Sequence, residues 1–160
     1  MLQSDAMQDS DSMLVYADYM EEMGYRNQSF GIRGVGYFLK QAEEVLQVKI
    51  IPTGSRLYGQ YWRPSSDWDW LAPPVNNSVL VALGWNKHYN PSLNTLYMGM
   101  LNLIIPKNED EYSRMLGATN KCVEEKPETK ERTIEIWKQF GIFPPSPSSQ
   151  RDNRISLSEI

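Results

Sequence analysis

Little in this chain speaks of sulfur chemistry, histidine chemistry or positive charge. It has one cysteine, Cys122, and one histidine, His88. A single cysteine excludes an internal disulfide and fits a reducing compartment. With no histidine near it in sequence to activate its thiol, Cys122 reads as a helix-face hydrophobe. His88 sits between Lys87 and Tyr89 in a polar stretch and reads as a loop surface residue, with a proton shuttle or phosphate contact as the sharper alternative. Lys and Arg number 16 against 20 Asp and Glu, a net charge of −4. That balance excludes a general electrostatic grip on nucleic acid but leaves room for a local basic patch. No apolar run approaches the ~20 residues of a membrane span, and the first residues lack the charged-then-apolar layout of a secretory signal. The expectation is a cytoplasmic chain without a membrane partner. In such a chain the acceptor patterns Asn27-Gln28-Ser29 and Asn76-Asn77-Ser78 are chance matches to a glycosylation site. No internal repeat is visible. Between Asp69 and Glu109 there is no acidic residue at all.

What is present is enough for one core. The chain has 160 residues, 41% of them hydrophobic, and five tryptophans, the profile of one domain with tails. Residues 1–12, rich in Asp, Ser, Gln and Met, read as a flexible leader. A single domain is expected over 13–142, with its core at 48–105. Amphipathic spacing predicts helices over 13–23, stopped at Gly24, and over 32–46, where Gly34 and Gly36 weaken the first turn or permit close packing. A β-rich run, 48–53, leads to a Gly-Ser turn and one or two helical turns within 55–62. A second strand is expected at 67–71, stopped by Pro73-Pro74, and a short helix over 76–85. Residues 87–94 are polar and turn-like. The most β-like stretch, 95–105, is expected as a third strand, bent or bulged at Gly99. Helices follow over 108–123, with acidic residues at its favourable end, and over 127–140. Residues 143–160, rich in Pro and Ser, form an expected extended tail with room to dock a protein partner.

The chemistry concentrates at Thr53-Gly54-Ser55-Arg56 and Ser65-Ser66-Asp67-Trp68-Asp69-Trp70. On a strand, side chains alternate, so Asp67 and Asp69 share one face and Trp68 and Trp70 the other. Two carboxylates side by side repel unless a cation lies between them. Mg²⁺ takes oxygen ligands of this kind and shares them with substrate phosphates. Gly54 leaves room for backbone N–H groups and the Ser55 hydroxyl to approach such phosphates. Arg56 offers a planar fork suited to phosphate oxygens, and Lys87 is a second cation for a triphosphate. Tyr58, Tyr61 and Trp62 either stack on a base or belong to the core. The bland alternative is a strand with Asp as a turn residue at its start.

The pairing of Gly54-Ser55 with Asp67/Asp69 resembles the signature of the nucleotidyltransferase superfamily that includes DNA polymerase beta. The wider run Gly-Ser-Arg-Leu-Tyr-Gly followed by Ser-Ser-Asp-Trp-Asp is similar to the small stand-alone nucleotidyltransferase-like proteins of bacteria and their phages. The likeness spans roughly residues 48–140. The resemblance implies an α+β fold: a small mixed or antiparallel sheet flanked by helices, with helical N- and C-terminal segments. It implies Mg²⁺ (or Mn²⁺) held by Asp67 and Asp69, with Gly54 and Ser55 on the nucleotide, where Arg56 and Lys87 are the candidate cations by their chemistry. It also implies transfer of a nucleoside monophosphate from an NTP to a hydroxyl of an acceptor, whether RNA, protein or small molecule, in the cytoplasm (a host's, if the chain is phage-encoded). The family places a third metal-binding acid on a later strand, and the matching residue here is Asn102, which coordinates weakly through its carbonyl and cannot take a proton. Three readings stand: transfer with two carboxylates and another base; nucleotide and metal binding without turnover; or Glu109 or Asp110 reaching the site from the next helix.

Overall fold

The structure, a computed structural model, describes residues 3–89 and 94–143. It is an α+β fold built on a mixed five-stranded sheet of order β1-β2-β5-β4-β3. The strands are β1 (Ile51–Thr53), β2 (Trp68–Leu71), β3 (Asn86–Lys87), β4 (Thr95–Met98) and β5 (Leu101–Ile104). Only β2 and β5 run parallel; β1–β2, β5–β4 and β4–β3 are antiparallel. The helices are α1 (Gln3–Ala6), α2 (Ser10–Glu22), α3 (Arg26–Leu46), α4 (Ser55–Tyr58), α5 (Ser78–Ala82), α6 (Glu109–Glu125) and α7 (Lys130–Gln139).

One sheet face carries the main core. Trp68, Trp70, Leu96, Leu101 and Leu103 pack there against Met13, Ala17, Ile32, Val35 and Leu39 of α2 and α3. Those two helices lie close because Gly36 has no side chain: a Cβ there would stand 2.8 Å from Leu14 Cδ2 and 3.3 Å from the Ser10 carbonyl. The expected weak turn is therefore a packing point, and α3 passes through Gly34 and Gly36 unbroken. On the other face a smaller cluster of Tyr58, Cys122 and Ile136 joins α4, α6 and α7. Cys122 is fully buried there. Asn108 and Thr129 cap α6 and α7 by accepting from the backbone N–H three residues on, the usual role of such residues.

Several expectations change. Composition pointed to a flexible leader over 1–12, yet α1 occupies Gln3–Ala6, α2 starts at Ser10, and Ala6 and Met7 are 0% and 1% exposed. Burial of two apolar side chains outweighs the polar majority around them. The single strand expected over 95–105 is a hairpin: Gly99, at φ +57°, turns the chain between β4 and β5. The polar 87–94 stretch contributes part of an edge strand, because β4 offers Asn86 and Lys87 a partner. His88 is 8% exposed rather than on the surface, stacked on Tyr89 at 4.5 Å. Pro52 is tolerated because β1 is a sheet edge, where one missing N–H is harmless. Residues 144–160, nearly all of the expected Pro/Ser tail, lie outside the described residues. No helix among the described residues is long and apolar enough to cross a membrane.

Candidate functional site

The register of the sheet assembles the site. Asp69 pairs with Thr53 on one side and with Asn102 on the other. Asn102 pairs with Tyr97, and Tyr97 with Asn86. Paired residues share a face, so a polar row crosses the whole sheet: Thr53, Asp69, Asn102, Tyr97, Asn86. The neighbouring row, Trp70, Leu103 and Leu96, faces the main core. Asp67, two residues before Asp69, joins the polar side.

Asn102 ties the acids together. Its Nδ2 donates to Asp67 Oδ2 at 2.9 Å and to Asp69 Oδ1 at 3.2 Å. A primary amide has two N–H groups, and each carboxylate takes one. Asp67 and Asp69 are 1% exposed and Asn102 is 0% exposed. A triphosphate therefore reaches these carboxylates only if covering side chains move. Part of the cover is α6: Thr119 on that helix shares a 2.7 Å hydrogen bond with Thr53.

The Gly-Ser turn meets the same carboxylate. Gly54 has φ +84° and ψ 178°, a conformation open essentially to glycine alone. A Cβ at Gly54 would overlap Asp69 Oδ2 and stand 2.6 Å from Asp69 Cβ and 2.8 Å from Cγ. Ser55, 2% exposed, opens α4 directly after this contact. Turn, acid pair and Asn102 thus converge on one buried place.

Two candidate residues are placed elsewhere. Arg56 turns to the tryptophan side, its guanidinium 4.9 Å from the Trp62 ring and 4.2 Å from the Trp68 ring. It donates to the carbonyls of Arg63, Pro64 and Ser66 and to Gln3 Oε1. Burial pushes its pKa down to about 10, and the charges of Asp69, Tyr16 and Asp67 oppose that shift. Lys87 lies on β3 in the row of Trp70, exposed at the far edge. Three strand spacings separate β3 from β2, about 14 Å at the usual interval. Of the aromatic candidates, Tyr58 is buried and accepts from Trp137 Nε1 at 3.1 Å, Tyr61 donates to Thr133 at 2.9 Å, and Trp62 is 39% exposed. Glu109 and Asp110 are exposed on the first turn of α6, with Asp110 paired to Arg114 at 3.0 Å.

Sequence reasoning missed Thr53 and Tyr97. Their place in the polar row follows from strand pairing, which a lone sequence does not display.

Asp67 and Asp69 supply the oxygen donors that a hard divalent cation takes. Asn102 presents nitrogen to the same point, and a rotation of about 180° about its terminal torsion exchanges N–H for carbonyl oxygen. The donor set therefore fits such a cation with that one rotation. No group of three or more His, Cys, Asp or Glu side chains converges among the described residues. No family model, no curated protein and no solved structure matches the chain.

Proposed function

We propose that this chain is a nucleotidyltransferase of the polymerase-beta type, moving a nucleoside monophosphate from an NTP to an acceptor hydroxyl. The observation that carries this reading is the convergence of Gly54, Asp67, Asp69 and Asn102, with Gly54 packed directly on the Asp69 carboxylate. In the reaction the acceptor oxygen bonds to the α-phosphorus, the bond from that phosphorus to the α–β bridging oxygen breaks, and pyrophosphate leaves with the electron pair. Bound Mg²⁺ or Mn²⁺ would neutralise charge on the phosphates. Asp67 and Asp69 would hold it, Gly54 and Ser55 would give the phosphates a close backbone approach, and Asn102 would turn its carbonyl inward. The acceptor's proton goes to solvent or to one of the two acids. Arg56 and Lys87, as placed, leave the phosphates to the turn.

The test is transfer of label from α-³²P NTPs to an acceptor panel of RNA, protein and small alcohols. Transfer that disappears in Asp67→Asn and in Asp69→Asn supports the reading. Failure with every NTP and acceptor, in Mg²⁺ and in Mn²⁺, counts against it.

A second reading is favoured by the amide itself. With its N–H₂ group on both carboxylates, Asn102 already supplies donors where a cation would sit, which suits a protein that binds nucleotide without turnover. Titration with Mg·ATP followed by thermal shift tells a chain that holds nucleotide from one that does not, since a ligand bound only by the folded state raises the melting temperature. The label-transfer assay then separates the two readings. Binding without transfer, together with transfer appearing in Asn102→Asp, identifies a weakened enzyme. A cytoplasmic setting and a protein partner for the 143–160 tail belong to the same proposal.

A further inference from the structure

The sheet face opposite the acids carries a concavity of about 400 Å³. That volume lies within the range of small-molecule sites. Its walls are apolar and aromatic: Trp68, Tyr16, Met20, Ile32 and Met100. Trp62, 39% exposed, and the exposed Asn27 and Gln28 also line it and open it to solvent.

One cation stands in this wall. Arg56 is 6% exposed and lines the concavity. A guanidinium has five N–H donors. Nε donates to Ser66 O, Nη1 to Gln3 Oε1, and Nη2 to Arg63 O and Pro64 O. Four donors are therefore spent on neutral acceptors and, among the described residues, one N–H of Nη1 has no acceptor. Among the described residues no carboxylate forms an ion pair with Arg56. A buried guanidinium without an ion-paired anion is costly; two flanking indoles, four neutral oxygens and the charges of Asp69 and Asp67 at longer range offset that cost only in part. The downward push on its pKa has the same cause, burial.

We infer that this concavity binds a small aromatic carboxylate, its ring against Trp68 and Met100 and its anion on the Arg56 guanidinium beside Gln3. The carboxylate takes the spare Nη1–H and, by displacing the Gln3 amide, the second one. That geometry is a charge-assisted pair in a water-poor setting, the strong class of hydrogen bond. The site is separate from the acid pair and does not depend on nucleotide chemistry.

The probe is 2-naphthoate, titrated calorimetrically into the full chain, with 2-naphthamide as its neutral counterpart. The naphthoate is expected to bind, and the amide to bind at least about tenfold more weakly, because it lacks the charge that Arg56 pairs. Gly31→Leu tests the place. Gly31 lines the concavity on α3, and a Cβ there meets only Met100 Sδ, at 4.0 Å. Leucine also favours the helix over glycine, so the variant folds while its side chain fills the space, and binding should fall at least about tenfold. Trp62→Ala, at an exposed position, should weaken binding without unfolding the chain. No heat with 2-naphthoate at millimolar concentration overturns the inference. So does equal affinity for the amide, or unchanged affinity in Gly31→Leu and Trp62→Ala.

Discussion

At position 54 a side chain has nowhere to go. The backbone lies at φ +84°, and the space where a Cβ would stand is filled by the Asp69 side chain. Gly54→Ala combines a disallowed conformation, worth ~1–3 kcal/mol, with overpacking of ~1–3 kcal/mol. Urea denaturation should show a loss of about 2–6 kcal/mol by that sum; a variant as stable as its parent would show that turn and acid are not in contact. Asn102 is the other residue with a defined cost. Asn102→Leu keeps the branched outline in a larger side chain but leaves Asp67 and Asp69 without the amide that donates to both. Removing a donor from a buried acceptor costs ~1–3 kcal/mol, and more for charged groups. If the acid pair holds divalent cations, Mg²⁺ should raise the melting temperature of Asn102→Leu more than that of the parent, because the cation replaces the missing donor. Equal or absent shifts would argue that the pair does not take the metal.

Among the elements, α4, α6 and α7 enclose three buried groups, Tyr58, Tyr61 and Cys122, that favour their neutral forms. Burial pushes the Tyr61 hydroxyl up to about 12 and the Cys122 thiol up to about 11, and drives Tyr58 well above its ordinary value. Each folded-state value lies above its unfolded one. The stability these groups contribute is therefore complete below pH about 9 and is lost as pH rises through their folded values. Arg56 runs the other way, since its folded pKa of about 10 lies below its ordinary 12.5, so its penalty is relieved between those values. Three groups oppose one. The urea midpoint should fall steadily between pH 9 and 11, with a contribution on the order of 1–3 kcal/mol from each of Cys122 and Tyr61. Cys122→Ala should flatten the part of that decline nearest pH 9. A midpoint that stays level to pH 11 would contradict the burial of this cluster. The packing itself leaves little slack: a Cβ on Gly117 of α6 would stand 2.6 Å from Phe140 Cε1, beyond the end of α7.

For the whole molecule, what could be read in advance was whatever one segment decides alone. The later part of α3, the helix start around Asn108 and the Asp67/Asp69 alternation each depend on spacing within a single element, and each is close to where spacing placed it, although α3 begins at Arg26 rather than at 32. The hairpin at Gly99 is local, Met98 pairing with Leu101 across a two-residue turn, and an expectation of one bent strand overlooked it. Strand β3 and the polar row through Thr53 and Tyr97 depend on pairings between separate segments, which no single window of sequence displays. The N-terminal segment is the sharpest instance. Its composition is that of a solvated leader, yet Met7 and Ala6 are buried in the main core and Gln3 exchanges hydrogen bonds with Arg56, donating Nε2 to the carbonyl at 3.1 Å and accepting from Nη1 at 2.7 Å. Deleting residues 1–9 removes these contacts and also Asp9, whose carboxylate caps α2 by accepting from Ser12 N at 2.8 Å. The Met side chain alone is worth ~1.5–3 kcal/mol of burial and the cap ~1 kcal/mol. At ~2–4 °C per kcal/mol for a chain of this size, the melting temperature should drop by about 5–15 °C. A true leader would leave the melting curve where it was. The double change Met7→Ser with Ala6→Ser tests the same point without shortening the chain: most of the loss should persist, because it comes from the buried side chains rather than from the length of the segment.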